Sequence, residues 1–138
     1  MSSKPAAKRR KQEQKEDISL HQFGEDFDNS EAMLNAEVKV VIDSINASSQ
    51  LEFEDLSEMM QNSYTYVQTF GKFRDADSIT LCKRELQEMG ASSFEAASLG
   101  NLMPANADEA KHLISSLSRH DDQLIESFCN VVQRYKEA

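Results

Sequence analysis

Residues 92–117 read SSFEAASLGNLMPANADEAKHLISSL, a stretch with two helix starts and a turn between them. Ser92 precedes Glu95, and Asn106 precedes Glu109, at the spacing of a capping box, in which both side chains satisfy free backbone N–H groups. A glycine and a proline separate the two starts, as is typical of a turn. We therefore predict two short helices, and the second should face the core with Ala107, Ala110, Leu113 and Ile114.

Helical periodicity continues on both sides of this stretch. Apolar residues recur at spacings of three and four over about residues 30–47 and 54–73. A third helix should open at the polar cluster 75–78 and end at Gly90, and a last helix should follow the cap Asp121. No alternating strand pattern occurs after residue 27. The predicted fold class is all-α, a helical bundle.

The first fifteen residues carry six Lys or Arg and one Glu, without any aromatic or β-branched side chain. Such a segment buries too little apolar area to offset the entropy of ordering, so residues 1–15 are expected to form a disordered basic tail. Its basic cluster fits either a nuclear import signal or a merely solvated tail. The import interpretation predicts localisation in the nucleus and rests on Lys8, Arg9, Arg10 and Lys11.

Residues 16–27 predict a short edge strand. Ile18 and Leu20 alternate with polar residues, and Phe23 and Phe27 follow on either side of a glycine. An edge strand needs a sheet to complete it, and the chain offers no second strand. This segment should therefore pair with another protein.

The charge is divided unevenly along the chain. Residues 16–138 hold 23 acidic and nine basic side chains, a net charge of −14, whereas the whole chain carries −9. A body this acidic repels phosphate backbones over most of its surface. Free-standing binding of nucleic acid is therefore disfavoured, and only the basic tail could attract RNA.

The sequence contains no recognisable catalytic arrangement. The four glycines are too widely spaced to cradle a phosphate, and no serine lies in a nucleophile elbow. Cys82 and Cys129 fall on apolar helix stripes, which favours buried thiols, and the three histidines are scattered. We expect no enzyme activity, cofactor, metal or small-molecule substrate. No apolar run reaches the length of a membrane span, so no membrane association is expected.

Residues 94–117 also resemble a signature of the fourth-subunit family of RNA polymerase II: Phe-Glu, Leu-x-Asn-Leu, a proline, an acidic-Glu-Ala helix and Leu-Ile-x-Ser-Leu. FGEDF (residues 23–27) and LNAEV (34–38) resemble the N-terminal region of the family, and YVQTFGKF (66–73) its central joining segment. Ser115 departs from the pattern, which usually has proline there. The signature predicts a core of Phe94, Leu99, Leu102, Pro104, Ala110, Leu113, Ile114 and Leu117.

The resemblance implies an architecture and a partner. Residues 74–138 would form a domain similar to the HRDC-like helical domain of RecQ helicases and RNase D, and residues 16–73 would bind the partner. That partner would be the seventh polymerase subunit, which carries the RNA-binding barrel and forms the polymerase stalk with this chain, so RNA would be bound only through the complex. The residues expected at this interface are Ile18, Leu20, Phe23, Phe27, Leu34, Val38 and Val41.

Two alternatives to a non-catalytic stalk subunit of RNA polymerase II remain open. One is the homologous stalk subunit of RNA polymerase III, which has the same architecture in a different host enzyme. The other is a free-standing helical module that binds nucleic acid, which the acidic body disfavours.

Overall fold

The structure is a computed structural model that describes residues 16–71, 73 and 75–137. The basic tail and its import cluster lie outside these residues. Within them the chain forms six α-helices: α1 Asn35–Ser49, α2 Glu58–Phe70, α3 Ala76–Glu88, α4 Ser93–Leu102, α5 Ala107–Leu113 and α6 Asp122–Glu137. Short 3₁₀ turns occupy Ile18–Leu20, Phe53–Asp55 and Ser115–Arg119. No strand forms in this described part, so the all-α prediction is confirmed.

Five helices begin at a side chain that caps them. Each cap accepts a hydrogen bond of 2.7–3.2 Å from the backbone N–H three residues later. This bond satisfies one of the N–H groups that a first helical turn leaves free. The caps are Ser57, Asp75, Ser92, Asn106 and Asp121. The predicted helix starts at the last four are therefore confirmed.

The main core lies between α3, α4, α5 and α6. The largest enclosed side chains are Leu86, Leu99, Leu117, Ile125, Phe128 and Val132. Helix α6 packs with its apolar stripe inward, since Phe128 and Val131 are buried and Leu124 and Tyr135 pack against the cluster. Gly90 ends the α3 region at a φ of +112°, a conformation that favours glycine.

Two residues of the predicted signature core lie at the surface. Leu102 is 46% exposed and Leu113 is 50% exposed, so their assignment to the core is wrong. Helix α5 is only seven residues long and buries Ala107 and Ala110. The chain leaves the helix at Ile114, with φ −130° and ψ 91°, and this turn buries Ile114 while Leu113 stays outside.

The first helix begins later than predicted, at Asn35 instead of about residue 30. Residues 31–34 precede the helix and are not helical. The last of them, Leu34, is fully buried in a second small core with Ile79 and Ala97. Asn35 N–H donates to the side chain of Asn101 at 2.8 Å. The absence of a side chain at Gly100 makes room for Leu34, because a Cβ there would overlap it.

A buried lysine also anchors this segment to α3. The ammonium group of Lys83 donates to the carbonyl oxygen of Ala32 at 2.7 Å and lies 3.2 Å from carboxylate oxygens of both Glu31 and Glu37. Burying an ammonium is costly unless such partners surround it. Residues 31–37 are therefore held against the helical body by charge as well as by apolar packing.

Candidate partner-binding surface

The segment predicted as an edge strand forms a compact turn instead. Ile18–Leu20 is a 3₁₀ turn, closed by an isolated antiparallel bridge between Asp17 and Gln22. The Asp17 carboxylate accepts from both the backbone and the hydroxyl of Ser19, at 3.0 and 2.6 Å. Such local side-chain bonds compete with extended structure. Ile18 and Leu20 nevertheless remain exposed, as a contact surface requires.

The two phenylalanines of this segment have different environments. Phe23 is half-buried and packs on Phe94, with ring centroids 5.0 Å apart. Phe27 is exposed at the mouth of a largely apolar cavity of about 420 Å³. The cavity is lined by Phe23, Phe27, Ser30, Glu31, Ala32, Ser93 and Phe94.

The residues predicted to bind the partner at the start of α1 and along it differ in their exposure. Leu34 is enclosed by its own chain and has no surface left for a partner, because it packs over Gly100. Val38 is half-buried and Val41 is exposed. The other exposed apolar residues of this region are Met33, Val40 and Ile45. A shallow groove of about 150 Å³ runs between α1 and α3, past Val40 and Val41.

Helix α2 packs chiefly against α1 and buries only Val67. Tyr64 donates its hydroxyl to Asp43 at 2.8 Å, and Lys39 holds the same carboxylate at 3.0 Å. The hydrogen bond from Lys39 lowers the pKa of Asp43, and the bond to Asp43 raises the pKa of Tyr64. The α1–α2 pair is thus joined by one polar contact and a thin apolar seam, with large apolar side chains left outside.

Glu95 lies at the centre of a polar cluster that the N-terminal region contacts. Its fully buried carboxylate accepts from the Ser116 hydroxyl at 2.6 Å, from Arg119 at 2.6 and 3.2 Å, and from the backbone of Ser92 at 3.1 Å. The His120 ring nitrogen lies 3.2 Å away. Burial by itself would raise the pKa of Glu95, but these hydrogen bonds outweigh it and lower the pKa to about 2.

The sequence identified Glu95 only as half of a capping box. Its other partners lie more than twenty residues away, where no spacing rule reaches. His21 completes the cluster from the N-terminal segment, with Nε2 at 3.5 Å from the carboxylate and its ring against Phe94. The turn at residues 17–23 is therefore packed against the helical body.

The two cysteines are buried, as predicted, and unpaired. Burial raises the pKa of Cys82 to about 12 and that of Cys129 to about 11, so both thiols remain protonated at neutral pH. Within the described residues, no cluster of three metal-ligating side chains occurs. None of the helices described there is long and apolar enough to cross a membrane.

Comparison with known proteins identifies relatives along almost the whole chain. The family model described as RNA polymerase Rpb4 matches residues 5–136. A DNA-directed RNA polymerase II subunit rpb4 from Dictyostelium discoideum is 25% identical over 96% of this chain and 97% of its own length. Subunit 4 of Arabidopsis thaliana RNA polymerase II is 25% identical over 90% and 98%, and the Schizosaccharomyces pombe rpb4 is 30% identical over 78% and 82%.

Proposed function

Because the chain belongs to the RNA polymerase Rpb4 family, we propose that it is a non-catalytic subunit of nuclear RNA polymerase II and forms a heterodimer with the seventh subunit. In this role it holds the seventh subunit in the polymerase stalk and supports initiation and transcript handling. The chain itself performs no chemistry. RNA reaches the complex through the other subunit.

The observation that carries this proposal is the apolar surface that α1 and the N-terminal turn leave uncovered. Ile18, Leu20, Phe27, Val41 and Ile45 are all large and exposed. Exposed apolar side chains of this size favour coverage by a partner, because their contact with water is unfavourable. The seventh subunit would cover these side chains. The turn at residues 17–23 would form the contact that the sequence predicted for an edge strand.

The homologous subunit of RNA polymerase III remains the nearest alternative, since the same surface would serve it. The names of the three relatives favour polymerase II as the host enzyme. Copurification distinguishes between the two host enzymes. We expect the tagged chain, purified from cell nuclei, to bring down the largest subunits of RNA polymerase II. Recovery of only the polymerase III subunits would transfer the proposal to that enzyme.

Coexpression tests the heterodimer directly. We expect the coexpressed pair to elute as a 1:1 complex and to melt at a higher temperature than the isolated chain, whose apolar contact surface is uncovered. Val41→Glu should break the complex, because it places a charge in the apolar contact. Leu81→Glu is the matched control, since Leu81 is similarly exposed on α3. A well-behaved monomer with no affinity for the seventh subunit would contradict the proposal.

A further inference from the structure

Helix α2 carries a second apolar stripe that α1 does not cover. Its inner stripe, with Val67 buried and Met60 and Tyr64 half-buried, packs against α1. The outer stripe consists of Met59, Tyr66 and Phe70, which are 79%, 55% and 45% exposed. A helix that is apolar on two sides is normally covered on both. Within the described chain, only the inner side of α2 is covered.

The outer stripe has the geometry of a helix-docking surface. Met59, Ser63, Tyr66 and Phe70 follow at spacings of four, three and four, so they lie in one row along about 16 Å of helix. The Tyr66 and Phe70 rings contact each other, with centroids 4.7 Å apart. Ser63 is small and leaves a gap in the middle of the row. A side chain from a facing helix fits such a gap, as a knob fits a hole.

The charge beside the Met59 end of the stripe is negative. Residues 40–71 contain five carboxylates and no Lys or Arg. Asp43 already binds Lys39 and Tyr64, and the other four are exposed at the N-terminal end of α2: Glu52, Glu54, Asp55 and Glu58. Gln61 fixes this loop against the helix by donating to the carbonyl oxygens of Phe53 and Leu56, at 3.0 and 3.1 Å. An acidic patch therefore adjoins the Met59 end of the stripe.

We propose that this outer stripe binds an amphipathic α-helix of another protein that carries Lys or Arg in its last turn. The bound helix runs antiparallel to α2. In that direction its apolar side chains, spaced by three and four residues, cover Met59, Tyr66 and Phe70, and its basic last turn faces Glu54 and Asp55. Basic side chains in a last turn also interact favourably with the dipole of their own helix.

The negative charge of this chain disfavours two other ligands at the stripe, a second copy of the chain and nucleic acid. A second copy of this chain would bring a body with a net charge of −14 over residues 16–138, and nucleic acid would bring phosphates to the same carboxylates. The proposed site uses none of the residues assigned to the seventh subunit. A test of this site therefore gives a result that does not depend on whether the heterodimer forms.

The test uses the full chain and a labelled synthetic helix. The peptide has leucines at positions matching four, three and four spacing and Arg in its last turn, and a matched peptide carries Glu in place of Arg. By fluorescence anisotropy we expect the Arg peptide to bind at least about tenfold more tightly than the Glu peptide, with the difference shrinking in high salt. Equal binding of the two peptides would overturn the proposal.

Variants locate the binding. Tyr66→Ser with Phe70→Ser should weaken the Arg peptide at least about tenfold, because both side chains form the apolar contact. Glu54→Lys with Asp55→Lys should reverse the preference between the two peptides, a result that general unfolding cannot produce. Leu81→Ser on α3 is the matched control and should bind as the wild type does. Self-association through Tyr66 in sedimentation velocity would overturn the proposed occupant.

Discussion

At the scale of single residues, Glu95 shows how one side chain can act both locally and across the fold. Its carboxylate satisfies the backbone of Ser92 within its own helix start and also binds Arg119 from a distant turn. A fully buried carboxylate is tolerated only because charge-assisted hydrogen bonds replace the water it has lost. Loss of these bonds should therefore be visible in stability.

Glu95→Gln is expected to lower the free energy of unfolding at pH 6 by about 1.5–3 kcal/mol, since hydrogen bonds to a charged acceptor are lost. The folded-state pKa, about 2, lies below the ordinary 4.5, so the charged form contributes stability above about pH 4.5. That contribution disappears as the pH falls towards 2. The difference between the variant and the wild type should shrink over this range in urea titrations.

Glu88→Gln provides the control for this measurement, because Glu88 is exposed near the end of α3. Its effect should stay within about 0.5 kcal/mol at every pH. A Glu95→Gln difference that is constant from pH 6 to pH 2 would show that the carboxylate is not ionised in the folded protein.

Leu113 and Leu117 provide a second contrast between neighbouring residues of one type. Leu117→Ala should cost about 2–5 kcal/mol, because Leu117 is fully buried in the main core. Leu113→Ala should cost less than about 1 kcal/mol, because half of its side chain is already in water. Chemical denaturation measures both. Equal losses would contradict the turn at Ile114.

At the scale of elements, the decisive packing joins the segment before α1 to α4. Leu34 fills the space above Gly100, and Lys83 holds the same segment from α3. These contacts extend across the boundary that the sequence suggested near residue 73, so α1 is packed against both α3 and α4. The direction in which α1 presents its exposed face depends on them.

Gly100→Ala should destabilise the protein by about 1–3 kcal/mol, because the added Cβ collides with the enclosed Leu34 side chain. In a Leu34→Ala background the same change should be neutral or stabilising, since the collision is gone and alanine favours the helix. A double-mutant cycle by urea unfolding measures this coupling. Additive effects would indicate that Leu34 does not lie over α4.

At the scale of the whole molecule, the distribution of charge separates this chain from a nucleic-acid-binding protein. Residues 16–138 carry 23 acidic groups against nine basic ones. Of those nine, Lys83 is buried between Glu31 and Glu37, and Arg119 is bound to Glu95. Clustered free Lys and Arg, which phosphate binding requires, are missing from the described surface.

A chain that begins at Glu16 should therefore show no measurable RNA binding at physiological salt in fluorescence anisotropy. The full chain should bind weakly through residues 4–15, and added salt should abolish that binding. The complex with the seventh subunit should bind RNA with or without the tail. Micromolar binding by the shortened chain alone would overturn the architectural role.

The sequence alone determined the features that depend on neighbours within a few residues. The caps at Asp75, Ser92, Asn106 and Asp121 could be predicted because each one binds an N–H only three positions away. Helical periodicity determined the all-α class, and the 94–117 signature pointed to the family that the comparison confirmed.

Only the tertiary structure decided which apolar residues are covered and where distant polar groups meet. Leu34 and Val41 belong to one stripe of the sequence, yet the packing over Gly100 buries the first and leaves the second exposed. Arg119 reaches Glu95 across 24 residues, and no sequence spacing encodes that approach. Periodicity specifies which side of a helix is apolar, but burial depends on what the rest of the chain places against that side.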